Sequence, residues 1–308
     1  RRVQDSDNCR VVVSGSSARL LSKEVATRLR GRGLATELLP FSFSEFLAHR
    51  EVAVPKSFPP PSTQRSVLEA RFQEFLAIGG FPEVQRLDEE LRRRILRDYV
   101  DVVLLRDVAE RHAITNLAAL RATERRLLRS QAALFSVNKL YLELKSQGIA
   151  VAKGGVHEYV AHLQDAFLLF APERWSRSAR QRQVNPKKCY PVDPALAVGG
   201  GRGHKLENLV YLELRRRGGE VSYYVTESGF EVDFIVEGDG GIELVQSCAD
   251  ATDPVTLERE LRAVDEALVE RKLATATVVT MFEQRTLRRF GRTIRLVPAW
   301  RWMLERDA

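Results

Sequence analysis

Four prolines stand within residues 55–61 of this 308-residue chain, in Val54-Pro55-Lys56-Ser57-Phe58-Pro59-Pro60-Pro61. Each proline fixes φ and removes a backbone donor, so neither a helix nor an interior strand can run through the stretch. It is expected to be stiff and extended, a linker over 51–61 with a domain boundary at it.

The section before it, residues 1–50, reads as β-α-β. The β-branched run at 10–14 is expected to be a buried parallel strand, broken by Gly15-Ser16-Ser17. Ser22 is a candidate cap for a helix through Val25, Ala26 and Leu29, with Gly31 as its stop. A second strand is expected over 35–39, stopped by Pro40, and Ser44 is a candidate cap for a short helix holding Phe46 and Leu47. About fifty residues cannot cover both faces of a parallel sheet. The section is therefore expected to be a piece of a larger one.

Residues 62–192 carry helical periodicity, as in Leu91, Ile95, Tyr99, Val102, Val103 and again in Val156, Tyr159, Val160, Leu163, Phe167. Gly79-Gly80-Phe81-Pro82 is predicted to turn between helices. Helices over 136–145 and 153–167, with Gly148 between them, would form a helix–turn–helix. Apolar runs at 167–171 and 188–192 would then be the two strands of a wing, which is the layout of a winged helix. Residues 193–308 mix elements. A helix is expected at 205–217, strands at 221–225, 231–236 and 242–248, a helix holding Leu257, Leu261, Val264 and Leu268, and a strand at 275–280.

The net charge of +7 is spread along the chain, so an anionic partner such as DNA is a candidate. No run approaches the roughly 20 apolar residues of a membrane helix, and no membrane partner is expected. The opening Arg1-Arg2-Val3-Gln4-Asp5 has no initiator Met and no apolar core for a signal peptide. Cys9, Cys189 and Cys248 are far apart and form no Cys-x-x-Cys pair, which argues against a zinc ribbon and fits a reducing, cytoplasmic setting. His157 and His162, five apart, do not share a helical face. No Gly-x-Ser-x-Gly elbow occurs.

Six stretches, in order, carry a resemblance. They are Val13-Ser14-Gly15-Ser16-Ser17 running on through Leu38-Leu39-Pro40-Phe41-Ser42-Phe43-Ser44-Glu45-Phe46; Gly79-Gly80-Phe81-Pro82-Glu83; Arg106-Asp107-Val108 before His112 and Ile114; Phe135-Ser136-Val137-Asn138-Lys139-Leu140-Tyr141; Asn185-Pro186-Lys187-Lys188-Cys189-Tyr190 with Val192-Asp193; and Glu207-Asn208-Leu209-Val210, Gly229-Phe230-Glu231-Val232-Asp233-Phe234 and Leu244-Val245-Gln246. Together they resemble the prokaryotic AAA-type P-loop ATPases that carry a C-terminal DUF4143 domain. The resemblance implies an α/β fragment of a P-loop ATPase core at 1–50, a helical and winged-helix region at 62–192, and a restriction-endonuclease-like α/β domain at 193–308. It also implies ATP and Mg in the full-length protein, and assembly into homo-oligomers.

Such ATPases cradle phosphate in Gly-x-x-x-x-Gly-Lys-Ser/Thr. No such loop occurs here; Gly199-Gly200-Gly201-Arg202-Gly203-His204-Lys205-Leu206 lacks the second glycine and the hydroxyl. By the resemblance, Ser14, Ser16 and Ser17 stand where a polar sensor faces the γ-phosphate, and Arg32 could present a guanidinium to a nucleotide. The tail resembles a PD-(D/E)xK nuclease core, whose carboxylates hold magnesium while a Lys orients the attacking water. Glu207 would be the helix acid, with Glu231 and Asp233 on one strand face. Gln246 and Cys248 occupy the places of the next acid and the Lys, so the site is expected to be degraded. Arg174, Arg177, Arg180, Arg182, Lys187 and Lys188 are the candidate DNA contacts of the wing. Three readings result: the C-terminal portion of an ATPase, inactive on its own; a DNA-binding module with a degraded nuclease-like domain; and a metal-dependent nuclease using Glu207, Glu231 and Asp233 without the Lys.

Overall fold

The structure, a computed structural model, describes residues 36–305 together with Val12, Ser14 and Gly15. The first expected strand and helix of the opening section otherwise lie outside the described residues. The second expected strand is corrected: residues 36–39 have no regular secondary structure. This segment is held by side chains instead of a strand partner. Arg215 Nε donates to both carboxylate oxygens of Glu37 at 3.0 Å, and Arg216 donates to the carbonyls of Pro40 and Phe41.

Helix α1, Phe43–His49, starts one turn later. Its cap is Ser42 and not Ser44, because Ser42 is extended and Glu45 sits at the third helical position to close a capping box. Such a cap contributes about 1 kcal/mol. After the prolines, α2 spans Ser62–Ile78. The proline stretch does not divide the molecule into separate cores. Phe43 and Phe46 of α1 pack against Phe72 and Phe75 of α2 at ring separations of 5.1–5.7 Å. Phe58, inside the stretch, rests on Trp300 near the other end of the chain.

Helix α3, Glu89–Val102, is capped by Asp88 and runs directly into a π-helical segment, Val103–Glu110. Then come α4, Leu117–Leu128; β1, Leu134–Phe135; α5, Val137–Ser146, capped by Ser136; and α6, Lys153–Asp165. Strand β2, Leu169–Phe170, precedes the short helix α7, Ala179–Val184, which leads into β3, Lys187–Lys188, and β4, Tyr190–Pro191. Two small antiparallel ladders result, β2 with β4 and β1 with β3. The two apolar runs at 167–171 and 188–192 thus pair through β2 and β4.

The tail is a mixed six-stranded sheet. After α8, Arg202–Arg217, it contains β5, Glu220–Val225; β6, Glu231–Gly238; β7, Gly241–Cys248; α9, Pro254–Glu270; β8, Thr275–Thr280; β9, Arg285–Arg289; and β10, Arg292–Pro298, before α10, Ala299–Leu304. The order is β5-β6-β7-β8-β10-β9, with β8 parallel to both β7 and β10 and the remaining pairs antiparallel. The parallel β7–β8 pair is joined through α9, as a parallel pair requires. One sheet face, with Phe234, Val245 and Val279, joins α8 and the helical region in a single apolar core. The other face, with Ile235, Leu244, Val278 and Ile294, is buried under Leu257, Leu261, Val264 and Leu268 of α9.

Candidate functional site

Helix α8 is apolar around Leu206, Leu209, Val210 and Leu212 and brings Glu207 and Asn208 into that buried surface. Opposite it, β5 and β6 lose register between Ser222 and Tyr224. Val232 pairs with Tyr224 and Ile235 with Ser222, so Asp233 and Phe234 stand against Tyr223 alone. A bulge of this kind re-aims side chains. Asp233 turns toward Glu207.

Between the carboxylates lies Lys188 of β3. Its Nζ is 2.7 Å from Glu207 Oε1, 2.7 Å from Glu231 Oε1 and 3.0 Å from Asp233 Oδ1. The ammonium donates to Glu207 and Asp233, and Glu231 completes the set as an ion pair. The Lys188 side chain is 2% exposed, Asp233 10%, Glu207 13% and Glu231 33%. Strand alternation explains the placement. Lys188 and Tyr190 go to one side, and the Tyr190 hydroxyl donates to Glu207 Oε1 at 2.7 Å. Cys189 goes to the other side, its Sγ 3.3 Å from the Leu127 carbonyl oxygen. Tyr190 stacks on Tyr211 with centroids 4.4 Å apart, which fixes the hydroxyl.

The second oxygen of Asp233 accepts the Ser247 N–H at 2.9 Å. Gln246 bridges onward, its Oε1 accepting the Asp233 N–H at 2.9 Å and its Nε2 donating to Glu260 Oε2 at 2.6 Å. Burial, then the neighbouring Asp233 charge, push the Glu207 carboxyl up to about 8. Burial works against the Lys188 charge, but Asp233, Glu207 and Glu231 outweigh it and hold the ammonium well above its ordinary range. Burial likewise raises the Tyr190 hydroxyl, so it stays a neutral donor. Chemically the cluster is one ammonium held among three carboxylates, a group that keeps net negative charge. Carboxylates suit a divalent cation, but these converge on an ammonium that a metal would have to expel from the core. As arranged, they do not fit a magnesium site. Among the described residues, no three His, Cys, Asp or Glu side chains are placed to hold a metal ion.

A second buried acid ties the helical region to its turn. Asp193, 1% exposed, follows β4, and its Oδ2 accepts the Gly80 N–H at 2.5 Å while Oδ1 accepts the Ala195 N–H at 2.8 Å. A Cβ at Gly79 would stand 2.0 Å from Asp193 Oδ1, and Gly79 has φ +78°. Gly79 is therefore required by the approach of this carboxylate, and Gly80 by the Phe41 backbone, whose carbonyl oxygen would stand 2.6 Å from a Cβ there.

Three domain families cover most of the chain. Residues 1–47 match an AAA domain, residues 69–199 a domain of unknown function (DUF8612), and residues 202–302 a domain of unknown function (DUF4143). An uncharacterized protein of Methanocaldococcus jannaschii is 34% identical across 99% of this chain and 70% of its own length. An uncharacterized protein of Haemophilus influenzae is 30% identical across 78% of this chain and 59% of its own length. The chain belongs to the AAA-domain family with a C-terminal DUF4143 domain. No solved structure matches it.

The sequence-derived site residues of this family member separate into groups. Glu207, Glu231, Asp233 and Gln246 form one connected cluster. Of the residues that the resemblance assigns to nucleotide sensing, Ser14 is exposed, and Ser16, Ser17 and Arg32 lie outside the described residues. The candidate DNA contacts have different surroundings. Lys188 is corrected outright: it is buried and saturated by carboxylates, so no phosphate reaches it. Lys187 pairs with Glu173, Arg174 donates to the Val225 carbonyl and Arg182 to the Ser176 carbonyl. Arg177 and Arg180 are exposed. A lysine does meet these carboxylates, Lys188 of β3, outside the tail, while Cys248 keeps the strand place that the motif gives its Lys. Tyr190, Ser247 and Glu260 were not singled out from the sequence. The signal for Lys188 and Tyr190 was the run Lys188-Cys189-Tyr190-Pro191-Val192: a lysine inside a buried strand requires carboxylates around it.

Proposed function

We propose that the full-length protein is an ATPase that uses ATP with Mg at a nucleotide site on its AAA core. In this reading, the chain supplies a winged-helix-like section and a nuclease-like tail that performs no phosphodiester cleavage. The observation that carries the inactivity of the tail is the Lys188 ammonium, which donates to Glu207 and Asp233 and is ion-paired with Glu231 as well. A PD-(D/E)xK centre needs its carboxylates free for metal and its lysine free for water, and here the lysine is ion-paired with the carboxylates themselves. The tail then serves as a rigid partner of the ATPase. Membership of an AAA family supports the ATPase assignment. Oligomeric assembly and a cytoplasmic location belong to the same proposal; among the described residues no helix is long and apolar enough to cross a membrane.

Incubation of supercoiled plasmid with this chain and Mg²⁺ or Mn²⁺ tests the reading. The plasmid is expected to stay supercoiled. Nicking that vanishes in a Lys188→Met variant would reverse the assignment and make the cluster a nuclease centre. A second reading, DNA contact through the wing, now rests on Arg177 and Arg180, which face solvent.

A further inference from the structure

The β9–β10 hairpin at the open edge of the tail sheet is built unlike the rest of it. Ile294 and Leu296 of β10 are buried toward α9. The residues between them point to the other face. There the register aligns Thr275 of β8 with Thr293 of β10 and Arg288 of β9 in one row, and Thr277 with Arg295 and Thr286 in the next. Helix α10, which follows β10 directly, packs on β8 and β10 at their ends. Thr275, Thr286, Arg288 and Arg295 remain exposed, and Thr277 is the buried floor at 2%. The grid holds four hydroxyls and two guanidiniums and no carboxylate. The ion pairs of this hairpin fall on Arg289, which meets Glu258 and Asp265 on the α9 side. From the strand geometry, Arg288 and Arg295 are diagonal neighbours about 7–8 Å apart.

The tip adds an independent observation. Phe290-Gly291 joins the strands, Phe290 at φ 48° and 77% exposed. A two-residue hairpin turn with positive φ favours Asn, Asp or Gly. A bulky aromatic there is unfavourable both in backbone conformation and in exposure. Edge strands often carry charge to discourage strand pairing, but an exposed Phe works against that purpose.

We infer that this hairpin is a docking surface for single-stranded nucleic acid. Arg and Thr side chains are the usual partners of phosphate oxygens, and two guanidiniums on β9 and β10, with the acid of this face, Glu243, set back on β7, complement a polyanion. An exposed aromatic offers a base a stacking platform, which a duplex would not use. The surface is distinct from the wing. The wing segment bridges to the sheet at its other edge, Arg174 against Tyr223 of β5, so the two can be separated by mutation.

The test is fluorescence anisotropy of this chain with an end-labelled 20-nucleotide single-stranded DNA over a salt series. Arg288→Ala/Arg295→Ala should weaken binding about tenfold and flatten the log–log salt slope by about 1.4, for two phosphate contacts on a single strand. Phe290→Asn should weaken binding by about tenfold while leaving the thermal midpoint unchanged or higher, since Asn suits the turn. Arg86→Ala/Arg94→Ala, at exposed arginines of the helical region, should bind as the parent does, and Arg177→Ala/Arg180→Ala is the variant that would expose binding through the wing. The inference is overturned if the parent binds no oligonucleotide, binds duplex more tightly, or prefers anionic phospholipid vesicles. It is equally overturned if the hairpin variants bind like the parent, or if the loss follows the wing variant instead.

Discussion

Replacing Lys188 with Met removes the ammonium and keeps most of the side-chain volume, so the packing contribution is small. What remains is charge. Glu207 and Asp233, 13% and 10% exposed, lose a partner at 2.7 and 3.0 Å and are left facing one another. Removing one partner of a buried ion pair costs about 3–5 kcal/mol. Glu231, 33% exposed, keeps access to water and adds little. For a chain of this size such a loss lowers the unfolding midpoint by roughly 10 °C. Urea unfolding followed by the fluorescence of Trp300 and Trp302, 1% and 6% exposed, reads it directly. The pH dependence separates charge from packing. With the ammonium gone, protonation relieves the carboxylates, so the loss at pH 5 should be well below that at pH 8. Adding Glu207→Gln and Asp233→Asn should recover more than half of it, because a neutral cluster needs no counter-charge. A loss under about 1 kcal/mol, or one equal at both pH values, refutes the account.

Two further outcomes follow from the same geometry. Gly79→Ala combines φ +78° with a Cβ 2.0 Å from Asp193 Oδ1, whereas Gly148→Ala has φ +75° and open space around it. The first should cost about 2–4 kcal/mol and the second about 1 by chemical denaturation, and equal losses would remove the steric argument. Stability should also peak near pH 5. Burial raises Asp193 to about 6, Glu124 to about 7 and, with Asp233, Glu207 to about 8. The folded state holds these protons after the unfolded state has released them, so stability falls as pH rises from about 4.5 to about 8. Below that window Glu258 and Glu266, lowered chiefly by side-chain hydrogen bonds from Arg289 and Ser228, reverse the sign. A thermal midpoint that rises steadily from pH 5 to 8 contradicts this.

The tail was legible where one period dominated. The strand expected over 231–236 is Glu231–Gly238, the strand over 242–248 is Gly241–Cys248, and the helix over 205–217 is Arg202–Arg217. Strands β9 and β10 were not read, because Arg285, Arg288, Arg289, Arg292 and Arg295 interrupt any apolar pattern and Ile294 and Leu296 are their main buried anchors. Residues 36–39 looked like a strand by composition, yet their partners are arginine side chains from α8, which local sequence does not reveal. The carboxylates stand together as the resemblance to a PD-(D/E)xK core implies. Their lysine was assigned to the surface because a basic run reads as a solvated loop. Only the pairing of β1 with β3, between residues more than fifty positions apart, draws Lys188 into the interior.

Lys188 falls in the segment that matches one domain family, at 69–199, while its three carboxylates fall in the segment that matches another, at 202–302. Neither stretch is electrically self-sufficient. Expressed from residue 202 onward, the sheet would carry three acids without Lys188 among them; ending at residue 199, the other half would leave the Lys188 amine without its carboxylates. Gene truncations made at this boundary should therefore yield insoluble halves that regain solubility when co-expressed.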